Sequence, residues 1–513
     1  MNFFPRPNNP RPDPRPPQRQ IPAFFAPGEG DRPKPSVNGT LAALAGVAIT
    51  GLIMNGHLPS SLGRVAAVGT GLSLLASLLM DFRAGGPRNL IRADVMAILA
   101  FYFLTLFEFL FPQPTFDQMI DVRTTHEAIL VVLLGFIGLL LGRHALQYRR
   151  QPFSETLTRE VPRFWMIVIF WCCFIVGYLH MFVAVNPMFS LTEVLHYFME
   201  PRFSQPWQRG KFGDWKALLV ELGLFIYLLP PLAGIMIARR HRYHAVQIFL
   251  VCVALAFTAF YGFTSGTRNV FCSYLVTFLI GYAFALTGDR KRELVTLCAS
   301  SAVVMVIATY FMLEFRSVGF TNYIHNRYDP LEKPERSLFV DYNLYAICKL
   351  VEVFPHKKPF LGFEIPYVAL IRPIPRAVWK GKPEGLTSSI EDALGVQGLT
   401  ISASFVGEAF MSGGMLAVLA TALFFGMLTG WWNFLASARN SELGILIYAS
   451  GFFASVISMR SLFVFTTALL PTVAALVIGS LAVKFLAAQA ARLAGRRPAF
   501  QRPPPRPPGR PPR

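Results

Sequence analysis

The sequence predicts an all-α polytopic membrane protein of about twelve transmembrane helices, with one large polar loop on its outer face. Three observations lead there. Of the 513 residues, 53% are hydrophobic and only 15% charged, and mean hydropathy is +0.44. A soluble domain carries nearer a quarter charged residues. The apolar residues gather in runs of roughly 20, enough to cross about 30 Å of hydrocarbon. Lysine and arginine fall unevenly on the two sides that these runs define.

Spans start near residues 39, 62, 94, 126, 163, 216, 245, 268, 294, 412, 443 and 462. They divide the chain into five parts. A Pro/Arg-rich tail covers 1–38 and a bundle of nine spans covers 39–314. The large loop covers 315–411, three further spans 412–487, and a second Pro/Arg-rich tail 488–513. Residues 1–38 hold 11 Pro and residues 498–512 another 8. Such tails cannot bury a core and are expected to be extended or disordered. No apolar stretch before Thr40 resembles that of a cleaved signal peptide.

Charge sets the orientation. With both termini in the cytoplasm, the inner tails and loops carry 29 Lys/Arg and the short outer loops 8. Arg83, Arg88 and Arg92 share one inner loop; Arg239, Arg240 and Arg242 share another. This is the positive-inside bias. It places the long loop outside and makes the net charge of +19 a topology and lipid-headgroup signal. It does not point to nucleic acid. The cysteines add little: five lie in apolar spans, and Cys348 stands alone in the outer loop, so no disulfide framework staples it.

Arginines at the outer span ends are the sharpest pattern. Arg268 opens span 8, Arg316 closes span 9, and Arg460 sits in the turn between spans 11 and 12. An arginine near the bilayer is costly, so it usually has a partner or a function. Guanidinium forks suit phosphate oxygens. Snorkelling to headgroups is the other reading. The loop adds Arg372-Pro-Ile-Pro-Arg376-Ala-Val-Trp379, followed by Lys382. These four side chains form either an anionic or sugar-binding patch, with Trp379 to stack on a sugar ring, or an interfacial aromatic-basic belt.

Among the outer-loop carboxylates, Glu408 and Asp341 are the candidate catalytic residues. Glu408 follows a stretch of small residues and precedes Gly413-Gly414 at the mouth of span 10. A desolvated carboxylate there is a plausible general base, or an ion-pair partner for an arginine. His325 and His356 read as exposed loop residues. No Asp-x-Asp, zinc-ligand spacing, Gly-rich phosphate loop or Ser/His/Asp grouping is present, so neither metal nor cofactor is expected.

Together these motifs resemble the oligosaccharide repeat unit polymerases, the Wzy-type O-antigen polymerase family. The motifs that carry the resemblance are Gly266-Thr267-Arg268-Asn269 at a span start, the arginine after span 9, Ile374-Pro375-Arg376-x-x-Trp379-x-x-Lys382-Pro383, and Gly407-Glu408-x-x-x-x-Gly413-Gly414. The resemblance covers roughly residues 40–490 and leaves out the tails, which are not expected of the family. It implies a GT-C-like fold in the bacterial inner membrane. It also implies metal-independent glycosyl transfer between undecaprenyl-diphosphate-linked oligosaccharides, with arginines on the diphosphates. The site would then draw on Arg268, Arg316, Arg372, Arg376 and Glu408. Membrane lipids, a chain-length regulator or copolymerase and a repeat-unit flippase are the expected partners. The first outer loop, Gly56–Ser60, lacks an acid. That departs from the oligosaccharyltransferase and mannosyltransferase branch, which places a catalytic carboxylate there. An O-antigen ligase shares the layout and donor. A transporter would need more polar spans than Glu108, Glu221 and Glu314 supply.

The orientation is directly testable. Alkaline phosphatase fused after Lys291 is expected to be silent, and β-galactosidase fused there active. Phosphatase activity at that position would reverse the topology.

Overall fold

The computed structural model describes residues 34–146, 160–201, 204–207, 216–286, 290–315, 318–325, 343–374, 378–383, 386–387, 390, 392, 402–435 and 441–495. Among these the regular elements are all helical. The principal helices are α1 (Val37–Ile53), α2 (Pro59–Gly85), α3 (Ala93–Thr105), α4 (Val122–Gly142), α5 (Arg163–Ala184) and α6 (Leu219–Ala238). They continue with α7 (Ala245–Thr264), α8 (Arg268–Ala285) and α9 (Lys291–Phe315). The segment between α9 and α12 adds α10 (Asn343–Val353) and α11 (Glu364–Ile371); α12 (Ser404–Leu435), α13 (Glu442–Ile457), α14 (Leu462–Ala468) and α15 (Leu470–Gly495) follow.

Nine helices among the described residues are long and apolar enough to cross a membrane, with α14 running into α15 as one of them. This is the architecture of a multi-pass membrane protein. Helices α1, α3 and α13 are apolar but shorter, and they stand where the sequence places spans 1, 3 and 11. The 13 residues of α3 rise only about 20 Å. A 3-10 turn, Phe107–Leu110, continues the chain beyond it.

Two boundaries differ from the sequence reading. The sequence starts span 10 near residue 412, with Gly413-Gly414 at its mouth. Instead α12 starts at Ser404, and the glycine pair is a kink within it. Gly414 has φ +65°, which a side chain would resist. At the N-terminus, described structure begins at Lys34, within the tail expected to be disordered. The Lys34 carbonyl accepts from Asn89 and Arg92, and the Ser36 amide donates to Asp81 at 2.6 Å. The rest of both tails lies outside the described residues.

The apolar residues form two large cores. One joins α1 to α4 with α10, α11 and α12. The other joins α5 to α8 with α13 and α15. Contacts of α13 with α3 and α12 bridge them. The tightest seam is α4 on α12. A Cβ on Gly142 would lie 2.5 Å from the Leu423 carbonyl oxygen, and one on Gly430 would lie 2.6 Å from that of Arg143. Small residues four apart let two membrane helices touch backbone to backbone, where dispersion rather than water exclusion drives association.

Helix ends on one face are tied by buried charge. Asp81, Arg92, Asp94 and Arg143 are each no more than 2% exposed at the side chain. Arg92 holds both oxygens of Asp94 and one of Asp81 at 3.0 Å. Arg143 reaches Asp81 at 3.4 Å and donates to Thr40 at 2.9 Å. Asn433 at the end of α12 donates to Asp94 and accepts from the Ala93 amide at 2.8 Å. Two cations therefore meet two carboxylates, and the cluster is neutral overall. A second tie centres on Glu442, which receives Arg239, Arg242 and the Val161 amide. Beside it, burial and then the Glu442 carboxylate push Tyr243 up to about 12. These contacts put the starts of α1, α3 and α13 and the ends of α2, α4, α6 and α12 on one face.

Removing one partner from a buried pair leaves an uncompensated charge and costs about 3–5 kcal/mol. Asp94→Ala is therefore expected to destabilise the protein by that much, read as a large drop in melting temperature in detergent. Arg123→Ala removes only an exposed pair with Glu127 and should cost less than about 0.5 kcal/mol. Equal melting of the two variants would show that the cluster is not a structural tie.

Candidate functional site

On the opposite face, the C-terminal ends of α5, α7 and α13 and the beginnings of α6, α8, α14 and α15 surround a cavity of about 560 Å³. Local sequence explains the opening. Pro230-Pro231 near the start of the last segment of α6 supply no amide donors to the turn before them. The preceding residues, Leu222–Leu228, wind as a 3-10 helix. This thin segment approaches α5 through two glycines. A Cβ on Gly177 would stand 3.0 Å from the Ile226 amide, and one on Gly223 would stand 3.0 Å from His180 Cε1.

The lining mixes aromatic and polar groups. His180 and Glu221 belong to α5 and the beginning of α6, Tyr274 to α8, and Trp207 and Arg372 to the outer loops. The turn Ser265-Gly266-Thr267 supplies hydroxyls at the rim. Gly266 there has φ +62°, a conformation glycine adopts without strain. The indole N–H of Trp207 and the hydroxyl of Tyr274 are buried with no hydrogen-bond partner among the described residues. An orphaned buried donor costs about 1–3 kcal/mol. Two of them on one cavity wall suit a polar ligand or water that completes them.

Arg372 stands at this cavity. It follows α11 and lies with its guanidinium 5.4 Å from the centre of the Phe463 ring. The segment is held from both sides. Lys382 Nζ donates to the carbonyls of Arg372 and Ile374 at 2.9 and 2.8 Å. The Leu361 and Gly362 amides donate to Met411 and Ser412 of α12. Lys382 thus serves as a brace for the loop that presents Arg372. Trp379 is half-buried in the same turn, its carbonyl accepting from the Lys382 amide at 3.2 Å.

Glu408 does not line the cavity, although Val464 and Thr467 of α14, whose first turn it holds, do. It is 3% exposed. One carboxylate oxygen accepts from Ser461 Oγ and the other from the Leu462 amide, both at 2.6 Å. Ser461 in turn caps α14, accepting from the Phe463 and Val464 amides. Arg460 occupies the same turn, and its carbonyl accepts from Ser402 at 2.9 Å. The sequence leaves Glu408 as a general base or an arginine's ion-pair partner; its hydrogen bonds go to the turn instead, and the Arg372 charge acts on it. Glu408 fixes the turn that carries Phe463, on which Arg372 rests.

Arg268 is the first residue of α8 and half-buried. Its neighbours Thr267 and Asn269 line the cavity. Arg316, Arg376 and Asp341 lie outside the described residues. Sequence reasoning missed His180 and Tyr274, and it weighed Glu221 only as a carboxylate within a span. A histidine within an apolar span, three residues after a glycine, was the available signal.

Fold and cavity together define a polytopic helical membrane protein with a polar chamber opening toward one face. Compared with models of protein families, with curated proteins and with solved structures, the chain matches none.

The turn can be tested apart from the cavity. Glu408→Gln removes the charge from two hydrogen bonds worth about 1.5–3 kcal/mol each. Lower thermal stability, matched by Ser461→Ala, is the expected result. A Glu408→Gln protein of wild-type stability that has lost turnover would assign Glu408 to catalysis instead.

Proposed function

We propose that the protein polymerises undecaprenyl-diphosphate-linked oligosaccharide repeat units at the outer face of the bacterial inner membrane. In this reading it has twelve spans, a GT-C-like arrangement and cytoplasmic termini. The buried-charge face lies inside and the cavity outside. The observation that carries the reading is the cavity itself. Aromatic rings and unpaired polar groups line it between membrane helices, and an arginine stands at its edge.

The chemistry follows from these parts. Attack at an anomeric carbon develops negative charge on the departing diphosphate. A guanidinium already in place stabilises that charge without reorganisation. Arg372 supplies it, with Arg268 at the start of α8 beside the cavity; the family resemblance adds Arg316 and Arg376. Aromatic faces and hydroxyls of the lining bind sugar rings, and the surrounding lipid takes the prenyl chains. Trp379 and Lys382 shape the loop above. A chain-length regulator and a repeat-unit flippase are the proposed partners. Ligation to a lipid A core would use the same donor and the same cavity.

Arg372→Lys keeps the charge and loses the fork. Transfer should fall at least about tenfold at matched expression, equivalent to roughly 1.4 kcal/mol of transition-state stabilisation. Arg123→Lys, on an exposed side chain, serves as the control. Gene deletion separates the two transferases. A polymerase deletion leaves single repeat units, whereas a ligase deletion strands long polymer on the carrier. Wild-type transfer by the Arg372→Lys protein would remove the arginine from the site.

A further inference from the structure

We infer that His180 is the group that takes the proton from the acceptor hydroxyl, an assignment that rests on the transferase reading above. His180 is 4% exposed, near the C-terminal end of α5, and its ring lines the cavity. Its Nδ1 lies 2.9 Å from the Gly177 carbonyl oxygen. A carbonyl can only accept, so Nδ1 carries the hydrogen and Nε2 of the neutral ring keeps its lone pair. That nitrogen has no hydrogen-bond partner among the described residues. Gly223 stands opposite, and a Cβ there would lie 3.0 Å from Cε1 and 3.5 Å from Nε2. The absent side chain leaves the imidazole room at the cavity wall.

The other carboxylate proposed as a base is otherwise engaged. Both oxygens of Glu408 hold the α14 turn, outside the cavity. The charged and titratable groups that share the cavity with His180 are Glu221, Arg372, Tyr227, Tyr261 and Tyr274. Of these, Glu221 is the competing proton acceptor, and the test includes it.

The step balances as follows. The acceptor oxygen bonds to the anomeric carbon while the bond from that carbon to the diphosphate oxygen breaks. The electron pair leaves with the diphosphate, beside the Arg372 guanidinium. The hydroxyl proton passes to His180 Nε2, and the resulting imidazolium releases it to water.

The test uses the full chain, purified and reconstituted in phospholipid vesicles, with lipid-linked repeat units isolated from the deletion strain. His180→Gln should slow turnover at least about 100-fold while donor binding stays within about twofold of wild type. The acid limb of its pH–rate profile should disappear. Gly223→Ala presses on the imidazole without removing it and should slow turnover roughly tenfold; it decides the matter if His180→Gln does not fold. Wild-type turnover in whichever of the two folds overturns the assignment. So does a Glu221→Gln protein that alone loses the acid limb. Either result leaves the transferase reading intact if wild-type protein still extends the donor. A wild-type protein that transfers nothing, although it binds donor, defeats the transferase reading itself.

Discussion

The fold hangs on a desolvated ionic cluster. Arg92 and Arg143 meet Asp81 and Asp94 where several helices end. Four charged side chains out of contact with water are tolerable only because their charges cancel and their hydrogen bonds are made. Lys34, Thr40 and Asn433 supply much of the remainder, and the Ala93 amide in turn holds Asn433. These groups come from the N-terminal segment, α3 and α12. Satisfying one group therefore places the others, and five helix ends acquire a common level. Glu442 repeats the device for the second half of the bundle. With one face so pinned, the opposite face is free to open, and the cavity lies there.

Much of this was legible in the sequence, and the limits have physical causes. Runs of apolar residues located the helices, because length and hydropathy alone decide whether a segment can cross a bilayer. Arg239 and Arg242 do share one connection between helices, as the sequence places them. Their partner Glu442 was not legible, since it lies 200 residues further along and pairing at that separation leaves no local trace. Gly413-Gly414 misled for a related reason. Two glycines mark a loop or a kink equally well, and only packing against Phe360 and the 361–362 backbone distinguishes them. The cavity was half visible. Arg372 stood out by its Pro-bounded spacing, whereas His180 and Tyr274 lie among apolar neighbours and look like ordinary interior residues.

The division of labour among polar residues follows from depth. Glu408 is fully engaged in holding a turn, and Lys382 in bracing a loop. Both orient the surface from which Arg372 reaches the chamber. Arg372 is exposed, and its place over the Phe463 ring orients the guanidinium toward an arriving anion. Trp207 and Tyr274 lie deeper, with hydrogen-bonding capacity unused. An outer arginine and inner neutral donors form a gradient suited to a ligand charged at one end and hydroxylated at the other.

Helix α12 is fastened at both surfaces. Asn433 ties its far end to the ionic cluster, and Glu408 ties its beginning to the α14 turn. Its 32 residues would span about 48 Å if straight, well beyond the hydrocarbon thickness. An ordinary long helix accommodates a thinner or thicker bilayer by tilting. A helix anchored at each end has little freedom to tilt, so the mismatch must be absorbed at the Gly413-Gly414 bend. Bilayer thickness then becomes a mechanical input to the loop carrying Arg372, because that loop is hydrogen-bonded to Met411 and Ser412 beside the bend.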